Sequence, residues 1–331
     1  MQRIGLTYDL RDDYRAMGFS EEALAEFDSP ETVAAIEGVL RRLGYETDRI
    51  GHIRHLAQRL VAGDTWDLVF NIAEGLAGRS REAQVPALLE AYGIPYVFSD
   101  PLTQAATLDK AIAKRLVRDA GIPTAPFALI ETEEDAAKAC ALPFPVFVKP
   151  LAEGTGKGCN AASKVTDPAR LADTARALRA RFNQPVIAEP YLPGREFTVG
   201  VVGNGDGARV IAVIEVLLGQ NAEPGVYSYD NKEQFESRVT YRLADDAEAR
   251  LAAASALAAY RTLGCRDASR LDFRSDAEGI PQFLEVNALA GLHPTHSDLP
   301  ILSIMAGMTY DGLIGEIMEA ALARYGLVGS A

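Results

Sequence analysis

The sequence predicts an α/β protein that opens with a mostly parallel sheet and continues into mixed α+β units. Over the first hundred residues, short apolar runs alternate with helical patterns. Such βαβ alternation implies parallel strands joined by covering helices. From Glu196 onward strands dominate at first, and a long alanine-rich helix follows them. The chain has 331 residues, which at roughly 100–200 residues per domain makes two or three domains. The expected division is 1–100, 101–190 and 191–331.

Taken in order, Arg3–Thr7 reads as the first strand. Ser29-Pro30-Glu31-Thr32 then opens a helix, with Ser29 as N-cap and Pro30 at the first helical position. Residues 45–50, 67–72 and 95–98 read as further strands, and 82–92 as a helix. Ser99-Asp100-Pro101 breaks the pattern. One helix rich in Ala, Leu and Lys follows, stopped by Ala120-Gly121-Ile122-Pro123. Strands are expected at 127–130, 146–148 and 186–189, with a helix near 168–182. Strands at 197–202, 210–216 and 239–242 lead to a helix over 245–263. A hairpin of 269–274 with 282–287 and a terminal helix near 310–325 complete the chain.

Composition narrows the function. The net charge of −13 argues against nucleic acid as the main partner, since phosphate backbones are met with basic surfaces. No run approaches the ~18 apolar residues of a membrane span. Cys140, Cys159 and Cys265 show no CxxC spacing, so neither a zinc ribbon nor a disulfide framework is expected. The first residues read as a strand rather than a signal peptide, and a cytoplasmic location is expected.

Three constellations carry chemistry. In the C-terminal hairpin, Arg270-Leu271-Asp272-Phe273 and Leu284-Glu285-Val286-Asn287 alternate polar and apolar residues. Side chains alternate faces along a strand, so Asp272 falls opposite Glu285 with Asn287 beside it. Hard oxygen donors of this kind suit magnesium, although any half-buried hairpin also shows a solvated polar face. The second constellation is Phe147-Val148-Lys149-Pro150, then Glu153-Gly154-Thr155-Gly156-Lys157-Gly158. An apolar strand delivers a lysine, and glycines let backbone N–H groups approach phosphate oxygens. It is not a Walker A loop, and a glycine-rich loop without function remains open. The third is Glu189-Pro190-Tyr191-Leu192-Pro193-Gly194-Arg195-Glu196, a hinge that can line an adenine slot or form a plain turn.

The order of these pieces resembles the ATP-grasp superfamily, and within it D-alanine–D-alanine ligases, from about Asp67 to Glu319. The stretches that carry the resemblance include Gly93-Ile94-Pro95-Tyr96, Leu108-Asp109-Lys110, Gly194-Arg195-Glu196-Phe197-Thr198-Val199 and Glu285-Val286-Asn287 with Gly291. The resemblance implies an N-terminal parallel α/β domain followed by a two-part ATP-grasp fold. It implies a ligase that joins a small-molecule carboxylate to an amine through an acyl-phosphate, using ATP with Mg2+ or Mn2+, in a possible homodimer.

Residue roles follow in the same way. Lys110 and Lys149 would contact ATP phosphates, and Glu153, Gly154, Thr155, Gly156, Lys157 and Gly158 would form the loop over them. Glu189, Tyr191 and Leu192 would form the adenine hinge, with Glu196 on the ribose. Asp272, Glu285 and Asn287 would hold the metal. Arg270 and the N–H of Gly291 would stabilise the oxyanion. Tyr227, Tyr229 and Lys232 resemble a second loop that directs a lysine at the γ-phosphate.

The chain departs from the family pattern on the amino-acid side. Glu74-Gly75 stands where the family has His-Gly, Arg79 and Arg81 replace an acidic continuation, Thr155 replaces a serine and Glu233 a tyrosine. A glutamate for the first substrate's ammonium is not evident. The expectation is retained ATP chemistry with amino-acid-like substrates other than two D-alanines. Glu74 or Glu233 would bind an ammonium, and Arg79 or Arg81 a carboxylate. His293, His296 and Ser297 would hold the second substrate's carboxylate, or a histidine would act as base. A zinc site of His293, His296 and Asp298 and a purely structural role remain alternatives. His52 and His55 read as surface residues. An ordinary D-alanine–D-alanine ligase and a nucleotide-binding regulatory protein are the other functional readings.

Overall fold

The computed structural model describes residues 2–21, 24–219, 221–222, 231 and 238–327. Strand β1 (Arg3–Thr7) lies between β2 (Glu46–Gly51) and β3 (Leu68–Asn71), parallel to both. Helices α1 (Arg11–Ala16), α2 (Pro30–Arg42), α3 (Ile53–Val61) and α4 (Gln84–Ala91) accompany this sheet. Helix α2 starts as expected. Ser29 accepts from the N–H of Thr32, Pro30 occupies the first turn, and Val33, Ile36, Val39 and Leu40 form its buried stripe. The strand expected at 95–98 is reduced to one parallel bridge, Tyr96 to Val69. Phe98 there has φ 75°, outside extended geometry, and its N–H donates to Asp267 rather than to a strand.

The single helix expected after Ser99 is two, α5 (Pro101–Leu108) and α6 (Lys110–Asp119). Asp109 breaks it. With φ −84° and ψ 100° it is extended, and its carboxylate caps α6 by accepting from Ile112 N–H. The break places Lys110 at the first position of a new helix, turned toward the cavities described below.

A four-stranded sheet follows, in the order β4 (Ala128–Ile130), β7 (Val186–Pro190), β5 (Val146–Pro150), β6 (Lys164–Val165). Helices α7 (Glu133–Ala139) and α8 (Leu171–Phe182) pack on it through Ala136, Ala139, Leu171 and Ala175. The last sheet is antiparallel throughout. Its order is β10 (Val239–Leu243), β9 (Arg209–Leu218), β8 (Glu196–Val202), β11 (Ala268–Ser275), β12 (Pro281–Asn287). Helix α9 (Ala247–Thr262) covers one face. Ala249, Ala252, Ala256 and Ala259 are all fully buried there. Their spacing puts them on one stripe, and their small size lets the helix sit close to Phe197, Val199, Leu271 and Phe273.

The opposite face meets α10 (Asp298–Met305), a helix the sequence reading missed, and α11 (Tyr310–Arg324). Gly200 of β8 permits this contact, because a Cβ there would lie 2.6 Å from Leu302. The core of the first sheet is continuous with these helices. Ile4, Leu6, Leu68 and Phe70 join Leu313, Ile314, Ile317 and Met318 in one apolar cluster. His52 is not a surface residue. It is buried, caps α3 by accepting from Arg54 N–H, and stacks on His55. No single helix among the described residues is long and apolar enough to cross a membrane.

Candidate active site

Two cavities meet between these layers. The smaller, about 110 Å³, lies between the four- and five-stranded sheets. It is lined by Lys149, Gly156, Glu189, Tyr191, Leu192, Glu196, Asp272 and Arg274. The larger, about 470 Å³, lies between the first unit and the C-terminal sheet. It is lined by Glu74, Gly154, Thr155, Arg270, Asn287, Gly291, His293, His296 and Ser297. Lys110, Glu153 and Glu285 belong to both. Most residues expected to read ATP line the smaller space, but Gly154 and Thr155 of the phosphate loop and Asn287 of the metal set line the larger one, beside those expected to read amino acids.

In the smaller cavity each cation faces a carboxylate. Lys110 Nζ lies 3.4 Å from Glu285 and donates to the carbonyl of Glu153 at 2.5 Å. Lys149 Nζ lies 3.0 Å from Glu189, and Lys114 Nζ 2.8 Å from the other oxygen of the same group. Glu189 is thus less an open hinge acid than the centre of a buried Lys–Glu–Lys triad. Burial opposes its charge, but the two lysines outweigh burial and hold its pKa down to about 2. Arg274 Nη1 lies 3.2 Å from Glu196 and its Nη2 donates to Tyr191 Oη at 3.0 Å.

The hairpin register agrees with the sequence reading. Asp272 pairs with Glu285, and Arg270 with Asn287. Asp272 Oδ1 accepts from Thr198 Oγ1 at 2.9 Å, and Arg270 Nη2 lies 3.1 Å from Asp272 Oδ2. The amide nitrogen of Asn287 is buried without a hydrogen-bond partner among the described residues. The Oδ1 of Asn287 and the carboxylates of Asp272 and Glu285 are hard oxygen donors of the kind a divalent cation takes. Among the described residues no three acidic, histidine or cysteine groups could hold a metal by themselves. Magnesium typically takes one or two carboxylates and fills its shell with phosphate oxygens and water.

In the larger cavity Arg270 Nη1 lies 2.7 Å from Asp298, and Tyr241 Oη donates to the same carboxylate at 2.9 Å. Ser297 Oγ accepts from His293 N–H at 2.9 Å and fixes the loop after Gly291. His293 Nε2 is 3.8 Å from Glu31. Burial first, and His296 second, push the pKa of His293 below its ordinary value.

Two of the expected carboxylate binders do not face this space. Arg79 is largely exposed and paired with Asp109. Arg81 is buried, donating to Ala152 O at 2.8 Å and paired with Glu26 at 3.0 Å. Arginine fits a buried pair well, because its planar fork meets a carboxylate oxygen and a carbonyl together. Tyr227, Tyr229, Lys232 and Glu233 lie outside the described residues.

Sequence reasoning missed Glu26, Asp28 and Glu82, all of which face the larger cavity. Glu26 and Asp28 sit in an irregular stretch before α2, where no periodicity points a side chain anywhere.

Known proteins share this architecture. Residues 116–319, well over half of the chain, match the family model described as D-ala D-ala ligase C-terminus. The chain is 36% identical over 299 residues to a D-alanine–D-alanine ligase of Caulobacter sp. strain K31, covering 88% of each protein. The chain belongs to the D-alanine–D-alanine ligase family. The Gluconobacter oxydans D-alanine–D-alanine ligase is 35% identical over 271 residues, 78% of this chain and 82% of that one. In three dimensions the D-alanine–D-alanine ligase of Bacillus anthracis superposes with a TM-score of 0.76 at 24% identity, covering 99% of this chain and 100% of that one. As a member of the D-alanine–D-alanine ligase family, the chain is an ATP-dependent ATP-grasp ligase that forms a carbon–nitrogen bond.

Proposed function

We propose that this ligase activates one amino-acid-like carboxylate as an acyl-phosphate and couples it to the amine of a second substrate, the pair not being two D-alanines. The observation that carries the reading is the wall of the larger cavity. Asp28, Glu74 and Glu82 line it, and their carboxyl groups have no hydrogen-bond or ion-pair partner among the described residues. Burial first, then neighbouring acids, push Asp28 up to about 8 and Glu74 well above the ordinary carboxyl value. Burial pushes Glu82 up to about 7 against the pull of Arg81. Carboxylates held in this way favour a cation-bearing substrate, which restores their charged forms.

The chemistry follows from the remaining groups. A carboxylate oxygen of the first substrate attacks the terminal phosphorus of ATP, and ADP leaves. The amine nitrogen of the second then attacks the acyl carbon. The tetrahedral oxyanion is stabilised by Arg270 and the N–H of Gly291, and phosphate departs with the bonding pair and takes up the proton that the amine nitrogen releases as the amide forms. Lys110 and Lys149 neutralise the phosphates, and the loop of Glu153, Gly154, Thr155 and Gly156 covers them. Asp272, Glu285 and Asn287 would hold Mg2+, which offsets charge on the transferred phosphoryl group. Ser297, His293 and His296 would orient the second substrate's carboxylate.

A screen of phosphate release from ATP and Mg2+, over amino acids singly and in pairs, tests the reading. Turnover is expected to favour a pair that contains a cationic side chain, and Glu74→Gln should erase that preference. D-Alanyl-D-alanine as the only efficient product would overturn it in favour of the reading carried by the relatives' names.

A separate prediction concerns the nucleotide. Arg274 donates to Glu196, the residue proposed to meet the ribose. Arg274→Met is therefore expected to raise the KM for ATP about tenfold and narrow the preference for ATP over 2′-deoxy-ATP, with kcat little changed.

A further inference from the structure

Lys157 and Glu26 form an ion pair across the wall between the two cavities. Lys157 belongs to the glycine-rich loop and lines the smaller, nucleotide-side cavity. Glu26 lines the larger one. Lys157 Nζ lies 3.0 Å from Glu26 Oε2 and is also paired with Glu153. Glu26 in turn accepts from Gly154 N–H at 2.5 Å and from Arg81 Nη2. Both side chains of the cross-wall pair are more than nine-tenths buried.

The other lysines of the nucleotide cavity are anchored on regular structure, Lys110 at the start of α6 and Lys149 in β5. Lys157 is not. Its loop is built from Thr155, Gly156 and Gly158, each with positive φ, and such a segment re-forms at low cost where glycines carry the turn. A triphosphate entering this cavity brings several negative charges within reach of a cation already shared between two carboxylates.

We infer that Lys157 exchanges partners when nucleotide binds, its ammonium leaving Glu26 and Glu153 for a phosphate oxygen. The inference rests on the smaller cavity being the ATP site. The exchange leaves Glu26 facing the amino-acid cavity with one cation fewer, so that loading ATP readies an anion for the amino-acid substrate. The alternative is a fixed latch, in which Lys157 and Glu26 only hold the loop in place.

The two differ in sign. Titration calorimetry of the full chain with AMP-PNP and Mg2+ is expected to show Lys157→Gln binding roughly tenfold more weakly than wild type, while Lys157→Arg restores affinity. AMP, which lacks the outer phosphates, should bind Lys157→Gln as well as wild type. Glu26→Gln removes a competitor for the lysine and is expected to leave AMP-PNP affinity equal or higher. Should that variant fail to fold, Glu26→Asp, which draws the carboxylate back from Lys157 but keeps its charge, carries the same sign. Weaker AMP-PNP binding by Glu26→Gln, matching Lys157→Gln, would establish the latch and overturn the exchange. A wild-type chain that binds AMP but shows no gain from the outer phosphates also overturns it. A wild-type chain that binds neither nucleotide overturns the ATP-site reading itself.

Discussion

Arg270→Met is expected to lower kcat by about two to three orders of magnitude while AMP-PNP affinity stays within a few-fold of wild type. The guanidinium lies in the cavity that also holds Gly291, and it is fixed from two sides, by Asp298 at 2.7 Å and Asp272 at 3.1 Å. A cation held in place before reaction needs no reorganisation when negative charge develops on the acyl oxygen. The same fixation complicates the variant, because Asp298 is buried and would lose its cation. Some loss of stability is therefore expected beside the loss of rate. Arg270→Lys separates the two effects. It keeps a charge near Asp298 but cannot span two carboxylates with one planar group, so stability should largely recover while kcat stays low. Steady-state kinetics alongside urea unfolding of both variants reads the difference. An Arg270→Met enzyme with near-normal kcat would remove the residue from the chemistry.

The largest effect on stability is expected from Lys114→Met, about 3–5 kcal/mol. Lys114 has no exposed surface. Its ammonium bonds to Glu189 at 2.8 Å, Thr124 Oγ1 at 2.8 Å and the carbonyl of Phe283 at 2.9 Å. It thereby ties α6 to β7 and β12. Removing it leaves Glu189 with Lys149 as its remaining lysine, in a site where water cannot compensate. The pH dependence follows from the depressed pKa of Glu189. A carboxyl lowered from 4.5 to about 2 contributes stability that is fully present above about pH 4.5 and is lost as the pH falls toward 2. Urea midpoints measured between pH 7 and pH 3 should fall for wild type, and fall less for Lys114→Met. Equal acid sensitivity in the two would show that the triad does not govern the acid limb.

How much of this was legible in the sequence depends on whether a residue's neighbours are set by local repeat. The period-two alternation of β11 and β12, with a tight turn between them, was enough to place Asp272 opposite Glu285. Ser29-Pro30 was enough to start α2. Glu189, Lys149 and Lys114 were each visible as charged residues near apolar runs. Their union depends on two strands and a helix converging, which no local pattern encodes. The break at Asp109 was misread because an extended residue between two helical stretches leaves the apolar spacing nearly unbroken. Arg79 was misplaced for a related reason. Its partner is Asp109, the residue freed by that break. On the substrate side the departures from the family pattern pointed, through Glu74, to the larger cavity. They could not reveal Asp28 and Glu82, which reach it from an irregular stretch and from a short 3-10 turn.

The shared core of the first sheet and the last helix has a consequence for biosynthesis. Leu313, Ile314, Ile317 and Met318, which complete the surroundings of Ile4 and Leu6, leave the ribosome about three hundred residues after them. Further ties close the same seam. Arg42 pairs with Asp311 at 2.7 Å, and Arg324 donates to the carbonyls of Tyr96 and Phe98. The first sheet must therefore wait, its apolar face unfinished, until α11 has been translated. Vectorial synthesis gives this N-terminal unit no head start, and a nascent chain halted before α11 would present that face to whatever holds unfolded chains in the cell.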